Sequence, residues 1–524
     1  MSRARLALPL LALVVAVASA AGPNRAEPSS YTLIRLDPAR ARIATAELAR
    51  RGGVLLSREL AIWRLRSDEA RRLLPRLRRE RLVRVVEPDR PIHPSTHLSA
   101  GDPLIPSEWW LRAVGADVAE PPGPGRPLTV VDTGLDPTHP EFSARPNTIP
   151  MNPQVIGPER LELHGTAVSS VAAAPSDGVG LVGVYPQAVL REWDVGESAS
   201  GVIAGLETAS LAGPGVINIS LGLSPSQLLE DAIDAAVRRG SIVVAAIGNE
   251  HQQGNPVVFP AILPHVLTVA STDQAGNVSS FSNEWPAVDV SAPGEAIPVA
   301  VPASIDPSGY AVATGTSFST PIVAGAAAWI WTARPDLDAS QVVAVLHSSA
   351  KDIGPPGFDP ESGYGLLDIP AALQAPAPPS DPQEPNDDIR LVKPHGLFAG
   401  GLKPMLARSG PPRATISGSV DRVEDPSDVY PFYVPGRSSV TATVIGDADV
   451  DLEIWRPGTT SVGENLEQRH ADLAGRSAHR TVQRETLTVG NTAAAGRFFY
   501  VRVLPGRAAV RADYTLTLVA RVRR

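Results

Sequence analysis

Between about Trp109 and Leu373, short and mostly apolar segments alternate with segments of helical periodicity, and this constrains the fold more than any other feature. Strands with no polar face must be covered on both sides, which requires a mostly parallel sheet with helices above and below it. The strand segments are Leu128–Val131, Val189–Trp193, Val216–Ile219, Ser241–Ala246 and Val266–Ala270. Helices are expected around His164–Ala174, Ser200–Leu211, Leu228–Arg239, Ser317–Thr332 and Ala339–Ser349. This α/β region cannot be the whole fold, because single cores stop growing near roughly 250–300 residues and the chain has 524.

Different patterns flank it. From Tyr31 to Glu87 the order is strand, helix, two strands, helix, strand, with Gly52-Gly53 breaking the first helix and Ser67-Asp68-Glu69 capping the second. That order is a ferredoxin-like α+β module. The stretch from Ala375 to Pro385 holds five prolines and reads as an interdomain linker. Beyond it, Thr415–Val420, Val429–Val434, Val440–Ile445, Asp451–Trp455, Glu485–Val489, Phe498–Val503 and Tyr514–Val519 are short, turn-bounded segments, several with period-two alternation. They predict an all-β sandwich.

Arg3 and Arg5 precede an apolar run from Leu6 to Val17 that closes on Ala18-Ser19-Ala20, the pattern of a secretory signal. The alternative is a membrane anchor, but the run is short of the ~20 apolar residues that span hydrocarbon, so no permanent anchor is expected. The chain has no Cys, which excludes disulfides and thiolate metal sites and suits a bacterial exported protein. The formal charge is −8, yet residues 31–90 carry sixteen Arg, no Lys and eight acids, leaving that segment near +8 and the rest near −16. The Arg residues are spread through periodic sequence rather than clustered, so the acidic remainder of the chain is a better partner for them than nucleic acid.

Four segments join an apolar element to a polar residue. Leu128-Thr-Val-Val-Asp132 ends a buried strand on a carboxylate, and His164-Gly-Thr166 opens a helix. Ala245-Ala-Ile-Gly-Asn249 ends another strand on a side-chain amide, and Gly315-Thr-Ser317 places a hydroxyl at the start of an apolar helix. Serine needs an imidazole to take its proton and a carboxylate to orient the ring, and acyl transfer needs donors for the oxyanion. Asp132, His164, Ser317 and Asn249 supply that set. Singly, each has a plain structural use as turn former, cap or left-handed turn residue.

Together the segments resemble the subtilase family. The resemblance rests on Val131-Asp132-Thr-Gly-Leu-Asp136 with His139-Pro-Glu-Phe142, on His164-Gly-Thr166, Asn218-Ile-Ser-Leu-Gly222 and Ala246-Ile-Gly-Asn-Glu250, and on Gly315-Thr-Ser-Phe-Ser-Thr-Pro321. It runs from about 105 to 375, and the order Asp, His, Ser is that of subtilisin. It implies a secreted serine endopeptidase acting through an acyl-enzyme, with Ser317 as nucleophile, His164 as general base and acid, Asp132 as orienting carboxylate and Asn249 as oxyanion donor. Ser220, Leu221 and Gly222 are implied to form one wall of a cleft in which an extended polypeptide substrate adds as a strand. Leu221 and the Ala245–Gly248 segment suggest apolar walls and a taste for large apolar side chains. No cofactor is implied for catalysis. The resemblance raises a structural calcium near the loop after the histidine helix, with Glu141 and Asp177 at the corresponding places and carbonyls around 175–181 completing a cage; the alternative is an ordinary surface turn. Ser169-Ser170 replace a typical Ala-Gly pair, and Phe318 stands where relatives commonly carry Met.

The first module resembles the inhibitor-type propeptide of subtilases, and the last resembles the bacterial pre-peptidase C-terminal domain, on Asp381-Pro-Gln-Glu-Pro-Asn-Asp387, Asp428-Val-Tyr430 and Tyr514-Thr-Leu-Thr-Leu518. The implied organisation is a signal peptide at 1–20, a propeptide at 21–95, a catalytic domain at 96–373, a linker at 374–388 and a β-sandwich at 389–524. The propeptide would act as intramolecular inhibitor and folding aid, and the mature chain, a monomer, would begin within 95–106. Two other readings compete. A lipase-type esterase fails on chain order and on Ser319, which takes the place of the second glycine of the G-x-S-x-G elbow. A non-catalytic peptide-binding relative would commonly have lost one of the four site residues.

Overall fold

The computed structural model describes residues 31–37, 41–57, 61–88, 102–152, 163–196, 198–381, 383–462, 472–479, 484–507 and 509–522. The expected signal peptide and maturation site lie outside the described residues, apart from the stretch after Gly101. The chain divides into two compact units, Met1–Ser95 and Thr96–Arg524.

The first unit is a four-stranded antiparallel sheet with two helices, Arg42–Arg50 and Ser67–Arg79. The strands lie in the order Val54–Ser57, Ile62–Arg66, Tyr31–Leu36, Val83–Pro88, which is the ferredoxin-like arrangement. Ile34, Leu36, Trp63 and Leu65 from the sheet bury against Leu48, Leu73 and Leu77 from the helices. Several of its Arg residues pair with its own acids, as Arg76 does with Glu47 at 2.6 Å and Arg51 with Glu69 at 2.8 Å.

The second unit begins with a seven-stranded parallel sheet in the order Val290–Pro293, Val266–Thr272, Ile242–Ala246, Val216–Ile219, Pro127–Asp132, Val189–Asp194, Thr148–Pro150. Side chains of a strand point alternately to its two faces. Leu128 and Val130 accordingly join one core with helices Leu163–Ala173 and Thr316–Ala333, while Val131 joins another with helices Ala199–Leu211 and Gln227–Arg238. Helix Thr316–Ala333 is buried almost all round, from Phe318 to Trp331. No described helix is long and apolar enough to cross a membrane.

The C-terminal region is two four-stranded antiparallel sheets. One runs Arg413–Asp421, Arg511–Val522, Ser438–Gly446, Arg484–Asn491, the other Asp428–Val434, Arg497–Pro505, Val450–Trp455, Leu473–Ser477. Val440, Ala442 and Val444 face the core, while Thr441 and Thr443 bond across the outer face to Thr488 and Thr486. The expected linker is packed from Asp381 onward: Asp381 accepts from the Ser419 N–H at 2.5 Å, and Asn386 Oδ1 accepts from Val429 N at 2.9 Å. Its proline content signalled a non-helical path, not a loose one.

Candidate active site

In a parallel sheet the chain leaves neighbouring strands on one edge, so residues just past their C-terminal ends meet there. Asp132 closes strand Pro127–Asp132, Ser220 follows Val216–Ile219, and Asn249 lies three residues past Ile242–Ala246. His164 and Ser317 are each the second residue of their helices. The histidine helix can approach this edge because Gly165 has no side chain: a Cβ there would lie 2.1 Å from the Gly134 carbonyl oxygen. Gly165 N donates to Thr133 Oγ1 at 3.0 Å, which fixes the helix start on the turn after Asp132.

Asp132 is fully buried, and His164 Nδ1 donates to its Oδ1 at 2.8 Å. Thr133 N donates to the same oxygen at 2.7 Å. With Nδ1 held by the carboxylate, the other ring nitrogen is left to accept a proton. Burial disfavours the charged ring, but the Asp132 carboxylate more than offsets this, and the His164 pKa is raised above the ordinary 6.5. The His164 and Phe318 rings lie 6.0 Å apart, which sets the imidazole beside the start of the serine helix. The Ser317 hydroxyl donates at rest to the Ser220 carbonyl at 3.2 Å and makes no hydrogen bond to His164. Catalytic contacts of this kind commonly tighten only when substrate is bound.

Asn249 is oriented by Thr316, whose N–H and hydroxyl donate to Asn249 Oδ1 at 2.8 and 3.0 Å. Its Nδ2 remains as a donor on the cleft that Ser317 also lines, and the Ser317 N–H is one of the first-turn N–H groups with no partner inside the helix. Thr316 was not singled out from sequence, although its place between Gly315 and Ser317 is the only signal there was. Ser220 and Gly222 line the cleft with Gly248, Asn249, Val258 and Ser317. Leu221 does not: its side chain packs partly buried in the second core, so it offers the cleft only backbone.

Residues 123–365 match the model of the subtilase family. Subtilisin Savinase of Lederbergia lenta is 35% identical over 277 residues, which cover 51% of this chain and 98% of Savinase. The chain belongs to the subtilase family. As a subtilase it is a serine endopeptidase, with the α/β fold of that family. Subtilisin of Bacillus pumilus is 35% identical over 259 residues, 47% of this chain and 90% of its own. The crystal structure of fervidolysin from Fervidobacterium pennivorans, a keratinolytic enzyme related to subtilisin, matches with a TM-score of 0.50 at 21% identity over 88% of this chain and 85% of its own, and so shares the fold.

The two serines that depart from the usual subtilase pattern are both used. Ser170 Oγ accepts from Ala300 N at 2.9 Å, and Ser169 Oγ donates to the buried Glu192 at 2.6 Å. Burial first, and then the Asp132 charge, push the Glu192 carboxyl far above the carboxylate range. The sequence offered one hint of this residue, an acid at one of the inward positions of a strand that alternates buried and half-buried side chains.

At the expected calcium site, Glu141 is fully buried; its Oε1 accepts from Leu181 N at 3.0 Å and from the Tyr310 hydroxyl at 2.9 Å. Its Oε2 is sealed from solvent without a hydrogen-bond partner. Burial, with the charges of Asp177 and Asp102, pushes Glu141 up to about 7. Asp177 itself is exposed and accepts from Val179 N at 3.1 Å. The loop turns the N–H groups of Gly178, Leu181 and Val182 toward Asp102, Glu141 and Glu108 respectively. The orphaned oxygen among like charges fits a hard cation at Glu141. Elsewhere, Asp381, Glu384, Asp425 and Asp428 bring one oxygen each within 4.8 Å of the others where the sandwich meets the catalytic domain.

Proposed function

We propose that this subtilase is exported by residues 1–20 and cleaves extended polypeptides through an acyl-enzyme formed on Ser317. His164 takes the hydroxyl proton as Ser317 Oγ attacks the scissile carbonyl, and it returns that proton to the leaving amine. Asp132 holds the ring tautomer and stabilises the imidazolium. Asn249 Nδ2 and the Ser317 N–H receive the oxyanion, and water then repeats the sequence to release the acid. The backbone of Ser220, Leu221 and Gly222 pairs with the substrate strand. The observation that carries the reading is the 2.8 Å His164–Asp132 bond at the sheet edge where Ser317 and the locked Asn249 also lie.

The remaining assignments follow the same line. Residues 21–95 act as an inhibitory propeptide, a role supported by their ferredoxin-like fold and by a charge near +8 against an acidic remainder. Residues 96–373 form the catalytic domain, and 389–524 a sandwich joined to it through 374–388. The mature enzyme is a monomer released from a bacterial cell. A calcium ion held by Glu141, with Asp177 beside it, neutralises the acid cluster and is structural only. Purified culture supernatant tests the set. Amino-terminal sequencing should start within 95–106, peptide hydrolysis should vanish in Ser317→Ala, and chelation should lower the melting temperature of that inactive chain. A product that still carries residue 31, or hydrolysis that survives Ser317→Ala, contradicts the proposal; an unchanged melting temperature removes the calcium.

A further inference from the structure

The substrate cleft is flanked by two glycines, and the space between them is already occupied. A Cβ on Gly222 would lie 3.5 Å from Val258 Cγ1, and a Cβ on Gly248 would lie 2.8 Å from Val258 Cγ2. Gly222 belongs to the segment after strand Val216–Ile219, and Gly248 to the segment after Ile242–Ala246. The isopropyl group of Val258 therefore bridges the two walls and forms the floor of the slot beside Ser317 and Asn249.

This floor is held in place. Leu223 N donates to the Phe259 carbonyl at 2.8 Å, a bridge that ties the chain on one side of Val258 to the Ser220–Leu223 wall. On the other side the buried Asn283 donates through Nδ2 to the Pro256 carbonyl at 3.0 Å, and Asn255 and Glu284 exchange two hydrogen bonds of 2.9 and 3.0 Å. Val258 is also β-branched, which restricts its side-chain torsion, so it does not fold aside easily. At the same rim, Glu250 Oε2 accepts from Asn249 N at 2.8 Å, which fixes a negative charge beside the slot.

A flat aromatic ring has to pass between the two glycine walls, where Val258 stands. An alanine- or serine-sized side chain does not reach it. A carboxylate would meet the charge of Glu250. We infer that the enzyme cleaves after small uncharged residues, and that Val258 is the residue that excludes aromatic ones. This rests on the proposed role of Ser317 and of the cleft beside it, and it replaces the large apolar preference suggested by the wall composition alone.

The test uses the processed full-length enzyme and a series of peptides that differ only in the residue before the scissile bond: Ala, Val, Phe and Glu. One extra or missing methylene in an apolar pocket is worth roughly 10–200-fold in discrimination. The expected result is a kcat/KM for Ala at least about tenfold above Phe, with Glu lowest, and a Phe-to-Ala ratio that rises about tenfold or more in Val258→Gly. Val258→Ala, which removes less volume and keeps a Cβ, should give an intermediate ratio. A wild type that prefers Phe, or a ratio that stays unchanged in both variants, overturns the inference. Cleavage of every peptide by Ser317→Ala, or of none by a folded wild type, would instead overturn the parent reading of the site.

Discussion

In the proposed mechanism His164 is the residue on which the chemistry turns, and its protonation is set by burial against the stronger pull of the Asp132 carboxylate. The base works only when neutral, so activity is lost as pH falls through its pKa. Because the buried Asp132 carboxylate raises that pKa above 6.5, the acid limb of kcat/KM should lie above the ordinary imidazole value. In Asp132→Asn the limb should move to lower pH while kcat falls by about 10⁴-fold, the loss seen when a triad carboxylate is made neutral. A limb that stays in place would mean that another group sets it. Asn249→Ala should lower kcat by about 10²–10³-fold with little change in KM, the range being that known for the side-chain oxyanion donor of subtilisin itself. A loss confined to KM would place Asn249 in ground-state binding instead.

At the scale of elements, the site exists because two helices begin where parallel strands end. Gly165 is the tightest point of that arrangement, with Gly134 backbone atoms 2.1 to 2.9 Å from where a Cβ would sit. Gly165→Ala should push the histidine helix off the Asp132–Gly134 turn, lower stability by about 1–3 kcal/mol and cut kcat sharply. Unchanged melting and turnover would show that the turn yields freely. The strands that carry the site were legible because each is a mostly apolar run followed closely by a polar residue. The two outermost strands of the sheet were not. Thr148–Pro150 is three residues long and mostly exposed, and Val290–Pro293 reads Val-Ser-Ala-Pro, with little strand propensity. Leu473–Ser477 in the sandwich escaped for a similar reason, since Leu-Ala-Gly-Arg-Ser has neither alternation nor β-branched residues. Asp132, His164, Ser317 and Asn249 stand out in the sequence because each sits in a motif, whereas Val258 and Glu192 carry no such signal and draw notice only through what the fold places beside them.

In the second unit the catalytic domain and the sandwich are joined by reciprocal arginines. Arg390 reaches helix Gln227–Arg238 to pair with Glu230 at 2.6 Å, Asp231 at 2.8 Å and Asp234 at 3.2 Å. Arg238 returns a hydrogen bond to the Leu391 carbonyl at 2.8 Å and lies 4.4 Å from the Phe398 ring. Burial pushes Asp234 up to about 7 even with Arg390 beside it, so removing that cation leaves a buried acid with less to offset it. Arg390→Met should cost about 1–3 kcal/mol and lower the melting temperature of the full chain, while equal melting would make the contact incidental. Nothing in the Pro-rich stretch foretold this junction, because it depends on charges more than 150 residues apart. The same long-range assembly brings Asp132, His164 and Ser317 to one edge, and covalent labelling reads that convergence directly. A fluorophosphonate probe added to the folded processed enzyme should modify a single serine, which peptide mass spectrometry locates at Ser317, and His164→Ala should abolish the labelling. Labelling of a different serine, or labelling of Ser317 that is indifferent to His164, would contradict the assembled site.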